Sequence, residues 1–174
     1  MAITISGSGI TSANIADGTI VNADINSSAA IDGSKLTGAG KVLQVVHGNY
    51  NTFSTSSSTT YVDTGLSATI TPSSTSSKIL ILVNLNGIWL YASTRYMKAR
   101  ILRGSTGLAE FLGGAGYVSS VGATAESSGT NQLDSPNTTS AITYKVQAHS
   151  AGSYNTSWCN NSALSSITLM EIGV

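Results

Sequence analysis

The residues of this chain that could carry out acid–base or nucleophilic chemistry are few and far apart. Its two histidines, His47 and His149, lie within or at the end of apolar, strand-like stretches. In such places an imidazole more often fills a strand face or caps a sheet edge than acts as a base. Serine is abundant, but no G-x-S-x-G elbow follows a predicted strand, and a catalytic triad is defined by geometry. The sequence therefore predicts no nucleophilic centre.

The acidic residues lack the spacing of a metal site or a glycosidase pair. A calcium loop places oxygen ligands at every second position, whereas Asp17, Asp24 and Asp32 stand seven and eight residues apart. The other acids are too scattered to indicate the two close carboxylates of glycoside cleavage: Asp63, Glu110, Glu126, Asp134 and Glu171. We expect no enzyme activity, no cofactor and no metal.

Cys159 is the one cysteine of the sequence. A lone cysteine excludes an intrachain disulfide framework and a cysteine-based zinc site. We expect Cys159 to be a small, half-buried hydrophobic residue.

A ladder of aliphatic residues organises the first part of the chain. Its members recur at every fifth position and then at similar intervals: Ile10, Ile15, Ile20, Ile25, Ile31 and Leu36. This spacing fits neither the helix period nor strand alternation. The residues between them are Asn, Asp, Gly, Ser, Thr and Ala, which favour turns. The pattern predicts an extended, repeatedly turning segment with one thin apolar edge.

The ladder cannot bury its own apolar edge. Full burial of one large aliphatic side chain contributes about 1.5 to 3 kcal/mol, while ordering one residue of backbone costs about 1 to 2 kcal/mol. We therefore predict that residues 1–40 form an anchoring arm ordered by partners: copies of itself, another protein or the rest of the chain. A coil of pentapeptide repeats is the alternative, although such architectures need about three or more stacked units.

From Lys41 onward the pattern changes to short strands separated by turn signals. We predict strands at 41–50, 60–63, 66–71, 78–85, 88–91, 95–103, 108–112, 117–121, 140–148, 153–158 and 166–172, with polar loops at 52–59 and 127–139. Turn signals at intervals of about 8 to 12 residues are typical of β-sandwiches and jelly rolls. The sequence thus predicts an all-β protein whose residues 41–174 form an antiparallel β-sandwich or jelly roll.

The charge content is low. Charged residues make up 9% of the chain, with eight basic and eight acidic residues, whereas about a quarter is usual. A surface with few charges resists association poorly, so we expect a protein that works in an assembly, with neither nucleic acid nor membrane as its main partner. Because the N-terminal sequence lacks the basic and apolar regions of a signal peptide, we expect it not to be secreted.

Four phrases carry a resemblance to a known class of proteins. MAITISGSG, NIADGTIVNADI, YVDTGLSATITPSSTSSKILI and SITLMEI resemble virion surface proteins of tailed bacteriophages, especially those of cyanobacteria and other aquatic bacteria. The resemblance implies a homotrimer, made in the host cytoplasm, whose N-terminal segment docks on the particle while its β-domain projects outward. The resemblance is compatible with capsid cement or decoration proteins, head fibres and tail-fibre tips. It identifies no individual binding residue.

Two sets of residues are candidates for recognition. The first is basic and comprises Arg95, Lys98, Arg100 and Arg103. On a strand, Lys98 and Arg100 share one face and the other two share the opposite face. They are either solvated positions that keep a strand from pairing with other chains, or contacts for an acidic partner or anionic polysaccharide.

The second set is aromatic, with Tyr154 and Trp158 as its candidate glycan contacts. Large aromatics line cores and subunit interfaces, while exposed aromatic faces beside amides suit sugar rings. A glycan site is expected in the loops near 127–139 or 153–162, because loops on a rigid scaffold often carry function.

Two functions from different classes follow. In the first, the arm docks on the major capsid protein or another virion structural protein, and the trimer stabilises the shell. In the second, the trimer is a tail- or head-fibre tip that binds host polysaccharide. About forty residues make a short shaft, since they span at most about 140 Å when fully extended, which favours the first function.

Overall fold

A computed structural model describes residues 41–90, 95–116 and 124–173. The predicted arm, residues 1–40 with its six ladder residues, lies outside the described residues, as does the predicted strand 117–121. The described residues contain ten β-strands and no α-helix. The all-β prediction is confirmed.

The strands follow the chain in the order β1 (Lys41–Tyr50), β2 (Ser54–Ser56), β3 (Val62–Ile70), β4 (Lys78–Leu90), β5 (Arg95–Arg103), β6 (Thr106–Gly116), β7 (Thr124–Asp134), β8 (Ile142–Ser150), β9 (Thr156–Trp158) and β10 (Ser165–Gly173). A 3-10 turn, Asn160–Ser162, separates β9 from β10. All pairings between strands are antiparallel.

The strands form two sheets with the order of a jelly roll. In sheet A, β1, β10, β4 and β7 lie side by side, and the short β2 and β9 continue the rows of β1 and β10. In sheet B the order is β3, β8, β5, β6. Each sheet thus alternates early and late strands of the chain, which is the arrangement of two Greek keys in a jelly roll. The predicted β-sandwich is therefore confirmed in its topology.

The core lies between the two sheets because alternate residues of each strand point to the same side. In β8 the buried residues Tyr144, Val146 and Ala148 alternate with more exposed polar ones. The fully buried large side chains come from both sheets: Leu66, Ile70, Ile79, Ile81, Leu85, Ile88, Leu90, Met97, Ile101, Tyr144, Ile167 and Leu169.

Polar groups link the two sheets inside this core. The indole Nε1 of Trp158 in β9 donates to the carbonyl oxygen of Thr64 in β3 at 2.9 Å. The hydroxyl of Tyr144 in β8 donates to Asp134 Oδ2 in β7 at 2.7 Å. Each bond joins a strand of sheet A to one of sheet B, so the relative position of the sheets is fixed by bonding as well as by burial.

Sheet A is interrupted between β9 and β10, where residues 159–164 leave the sheet as a short excursion. Gly87 in β4 adopts a φ of +63° opposite this excursion. The Asn160 amide donates to the Gly87 carbonyl at 2.9 Å, and the Cys159 N–H donates to the Asn86 carbonyl at 3.0 Å. Cys159 itself is fully buried. The excursion is therefore held tightly against β4.

Most predicted strands are confirmed, and one predicted loop is wrong. β1 has the predicted bounds, and β5 and β6 form the predicted hairpin. The predicted pairs of strands around 64–65 and 86–87 are single strands with local irregularities, β3 and β4. The predicted polar loop 127–139 is largely β7, a strand recognisable only through its pairing with β4, because its sequence TAESSGTNQLD has no apolar alternation.

We predict that Gly87→Ala destabilises the protein more than Gly104→Ala. Both glycines have a positive φ, 63° and 57°. A Cβ at Gly87 would lie 2.7 Å from the Asn160 nitrogen, whereas one at Gly104 would meet nothing within 4 Å. Gly87→Ala should lower the free energy of unfolding by about 1 to 3 kcal/mol or more, as measured by urea unfolding. Equal losses in the two variants would contradict the close packing of the excursion.

Candidate interaction surfaces

The basic residues predicted from the sequence do not form one site. Lys98 and Arg100 lie on the outer face of sheet B, where alternation places them. The residues that alternate with them, Met97, Ala99 and Ile101, are buried. Arg95 begins β5, and its side chain lies outside the described part of the structure. Because Arg103 lies on the opposite side, the structure divides the set rather than gathering it.

Arg100 belongs to a network within the chain. Its Nη2 and Nε donate to Gln147 Oε1 at 2.7 and 3.0 Å, and its guanidinium lies 4.0 Å from the centre of the Tyr61 ring. The Gln147 amide and Lys145 Nζ donate to Asp63 at 2.7 and 3.0 Å. The bond from Gln147, with the help of Lys145, lowers the pKa of Asp63 against the effect of burial.

Tyr61 sits at the end of this network. Its ring meets the His149 ring edge to face, with the ring centres 4.6 Å apart. Burial, followed by the nearby Glu110 carboxylate, raises the pKa of Tyr61 to about 12. The phenol is therefore neutral at physiological pH. The outer face of sheet B is thus polar, charged and extensively bonded within the chain.

Arg103 is part of the link between the sheets. Its Nη1 lies 3.0 Å from Asp134 Oδ2, and it also donates to the Ser135 carbonyl at 3.3 Å. Asp134 is 8% exposed and also accepts the Tyr144 hydroxyl. Burial and the bond to Asp134 raise the pKa of Tyr144. This arrangement gives Arg103 a structural role, because a buried carboxylate requires a paired cation or hydrogen bonds.

The two aromatic candidates have different positions. Trp158 is 3% exposed and packs in the core, so its prediction as a glycan contact is corrected: a ligand at the surface cannot stack on a ring that the sheets cover. Tyr154 is 40% exposed, in the segment between β8 and β9. It remains a candidate contact.

A buried carboxylate that the sequence analysis left unassigned fastens the turn between β3 and β4. Glu171 is fully buried. It accepts Gln44 Nε2 at 2.6 Å, and its other oxygen accepts the backbone N–H and hydroxyl of Ser73 at 2.7 and 2.6 Å. Burial alone would raise its pKa, but these bonds lower the pKa of Glu171 to about 2. The signal was present in SITLMEI, where the acid shares the inward side of an alternating strand with Ile167 and Leu169.

Part of the outer face of sheet A is apolar, which was not predicted from the sequence. Val45, Met170, Leu80 and Leu133 are directly paired across β1, β10, β4 and β7. They form one continuous row, here called the apolar row. Val45 is 56% and Leu133 is 50% exposed, at the two ends of the row. Leu82, 41% exposed, lies two residues from Leu80 on the same face. An exposed contiguous apolar surface of this kind is typical of an interaction site.

A polar trough lies beside the apolar row. It encloses about 320 Å³, and its lining includes Leu82, Asn84, Gly129, Asn131, Ser166 and Thr168. Gly129, in the edge strand β7, supplies no side chain to this lining. At the edge of the face, His47 Nδ1 lies 2.8 Å from Thr168 Oγ1. The trough thus offers amides and hydroxyls over an apolar floor, with no charged residue in its lining.

Other kinds of site are not seen among the described residues. No group of three or more His, Cys, Asp or Glu side chains could hold a metal within residues 41–90, 95–116 and 124–173. Nor does any helix in those ranges have the length and apolar character needed to cross a membrane.

Comparisons with known proteins place the chain in no family. No family model matches it, and no curated protein matches it. Among solved structures, it is similar to a chain in the structure of infectious bursal disease virus Gt strain, at a TM-score of 0.39 and 15% identity. The match covers 74% of this chain and 37% of that chain, so this chain spans little more than a third of the other's length. A likeness this distant carries no argument about function.

We predict that Glu171 makes stability depend on acid pH. Because its folded pKa, about 2, lies below the ordinary value of 4.5 for a glutamate, the carboxylate stabilises the fold fully above about pH 4.5, and this stabilisation is lost as pH falls toward 2. Glu171→Gln should lower the free energy of unfolding at pH 7 by about 1 to 3 kcal/mol, because it leaves buried donors poorly matched. It should also flatten the pH dependence in that window.

The matched control is Glu110→Gln, which alters an exposed carboxylate. Urea unfolding between pH 2 and pH 7 measures both variants. A Glu171→Gln protein with the stability and acid sensitivity of the wild type would contradict the assignment.

Proposed function

We propose that this protein is a structural protein of a tailed-bacteriophage virion: a homotrimeric capsid cement or decoration protein. It docks on the major capsid protein or a neighbouring virion protein by residues 1–40 and stabilises the shell from the virion surface. The observation that carries the proposal is the apolar row on the outer face of sheet A, because a jelly roll that exposes such a surface is suited to assembly.

The distribution of charge supports a role in assembly. On sheet B, Asp63, Arg100 and Lys145 are engaged in bonds within the chain. On sheet A, the apolar row and the row beside it (His47, Thr168, Leu82 and Asn131) contain no Lys, Arg, Asp or Glu. The outer face of sheet B is thus suited to contact with water. The two rows on sheet A lack charged residues, as the centres of protein interfaces do, and are suited to contact with a protein.

The sequence supports the same role. The phrases that resemble phage virion proteins cover both the arm and the β-domain. In this proposal the ladder of the arm buries its aliphatic residues on the shell, and a trimer presents three such arms together. Linking three weak contacts raises their effective concentration, so the assembly binds far more tightly than one arm alone.

A second candidate function, a fibre tip that binds host polysaccharide, is favoured by the trough on sheet A. Amides and hydroxyls at Asn84, Asn131, Ser166 and Thr168 can bond to sugar hydroxyls, and Leu82 offers an apolar floor. The absence of charge from the lining suits a neutral glycan. Multivalency would again compensate for a weak single site.

Particles with and without the protein separate the two functions. We expect particles lacking it to lose infectivity faster on heating or osmotic shock while adsorbing normally, and purified full-length protein to restore them. Ile20→Asp with Ile25→Asp should abolish this restoration, because the ladder loses apolar burial. Val21→Asp is the matched control: it changes an apolar neighbour outside the ladder. Normal shell stability with lost adsorption would contradict the cement role.

The trough is tested with the Asn84→Ala/Asn131→Ala variant. If the fibre-tip function holds, calorimetry should show binding of neutral host polysaccharide by the wild type and about tenfold weaker binding by the variant, since each hydrogen bond contributes about 0.5 to 1.5 kcal/mol. Asn155→Ala, an exposed amide outside the trough lining, should bind normally. Absence of binding by the wild type would remove this candidate.

A further inference from the structure

At Leu80 and Met170 the central strands of sheet A break the alternation that a half-solvated antiparallel sheet requires. In sheet B, β8 has the expected pattern: buried Tyr144 and Val146 alternate with the polar Lys145 and Gln147. In sheet A, β4 begins KILIL, and its buried Ile79 and Ile81 alternate with an outward leucine at Leu80. A strand that is apolar on both faces is typical of a sheet covered on both sides. On this side of sheet A the described residues Val45, Leu82 and Leu133 are exposed, so the apolar surface is available to a partner.

The dimensions of this face suit a small protein interface. A sheet four strands wide and nine residues long measures about 19 by 30 Å at the usual strand spacing and rise. The flat area is about 570 Å², below the roughly 800 Å² per partner of a standard interface and at the low end for specific contacts. Four large apolar side chains cross it without interruption in the apolar row, and Ile172 continues the apolar surface beside Met170 on β10.

The charge of the face suits a second copy of the same chain. The apolar row and the row beside it carry no formal charge, so two copies do not repel one another. Lys78 is the charged residue at the end of β4 on this side. The apolar row offers no oppositely charged residue to a strongly charged partner of either sign.

The row runs from one edge of the sheet to the other, and its exposure is greatest at both ends. Val45 in β1 and Leu133 in β7 are 56% and 50% exposed, whereas Met170 and Leu80 between them are half-buried. A head-to-tail contact requires two different surfaces on one subunit, and the Val45 and Leu133 ends of the row are two such surfaces. In a closed ring of three subunits the same contact occurs three times.

We infer that the apolar row on the outer face of sheet A is the contact between copies of this chain, with the Val45 end of one copy against the Leu133 end of the next around a threefold axis. This inference rests on the proposed homotrimer and assigns its contact surface. It places the polar outer face of sheet B outward and leaves the shell to be contacted by other parts of the molecule.

Disulfide trapping of the full-length chain tests the contact. Within one chain, Val45 and Leu133 are separated by three strand spacings, about 14 Å, too far for a disulfide, which needs Cα atoms closer than about 7 Å. Under mild oxidation, Val45→Cys/Leu133→Cys should give a closed covalent trimer on a non-reducing gel. Each single variant should give none, because a head-to-tail contact never brings two identical positions together. Cys159 is fully buried and stays in every variant.

Charge variants provide an independent measurement by analytical ultracentrifugation. Val45→Lys alone and Leu133→Glu alone should shift the mass from three chains to one at micromolar concentration. The double variant should restore three chains, because each contact then pairs opposite charges. Leu164→Glu, equally exposed at 51% but outside the row, should stay trimeric. Circular dichroism should be unchanged throughout, since all three positions are exposed.

The outcomes distinguish this inference from the proposed function. A monomeric wild type, a covalent dimer in either single-cysteine variant, or charge variants that stay trimeric would overturn the contact. If the contact fails while shell stability still depends on the protein, the cement role stands without it. If the covalent trimer forms while particles lacking the protein are equally stable, the contact stands and the cement role fails.

Discussion

The structure depends on one constraint: at Leu80 and Met170 the central strands of sheet A carry apolar residues on their outer as well as their inner face. The inward residues, such as Ile79 and Ile81, are buried against sheet B. The outward residues Leu80 and Met170 are half-buried, while Val45 and Leu133 at the ends of the same row are 56% and 50% exposed, although apolar surface is costly to leave in water. The described part of the sandwich therefore presents an apolar row to a partner, and the proposed assembly follows from that row.

The remaining chemistry of the described residues serves the scaffold. Arg103, Asp134 and Tyr144 join the sheets through a buried carboxylate, and Glu171 fastens the turn after β3 through Gln44 and Ser73. Because a buried carboxylate is stable only when its acceptors are satisfied, these residues favour a single arrangement of the sandwich. A rigid sandwich can hold an apolar surface in a fixed shape, which suits repeated contacts between identical subunits.

Much of the fold could be predicted from the sequence, since local patterns determine it. Alternation located β8 and β10, and glycine in the turn located the hairpin of β5 and β6. β7 was missed because TAESSGTNQLD carries no apolar alternation, and only its pairing with β4 makes it a strand. Trp158 was considered as a surface contact because sequence alone does not tell an aromatic residue in the core from one at the surface. The apolar row was missed because its four residues come from four distant strands, and their alignment depends on non-local register.

The most direct test of the account is electron cryomicroscopy of the full-length protein on its particle. The account predicts three copies around a common axis, with the outer faces of sheet A turned toward one another and the apolar row covered by the neighbouring subunit. A bound copy whose apolar row faces solvent, or lies on a different protein while its siblings are apart, would contradict it.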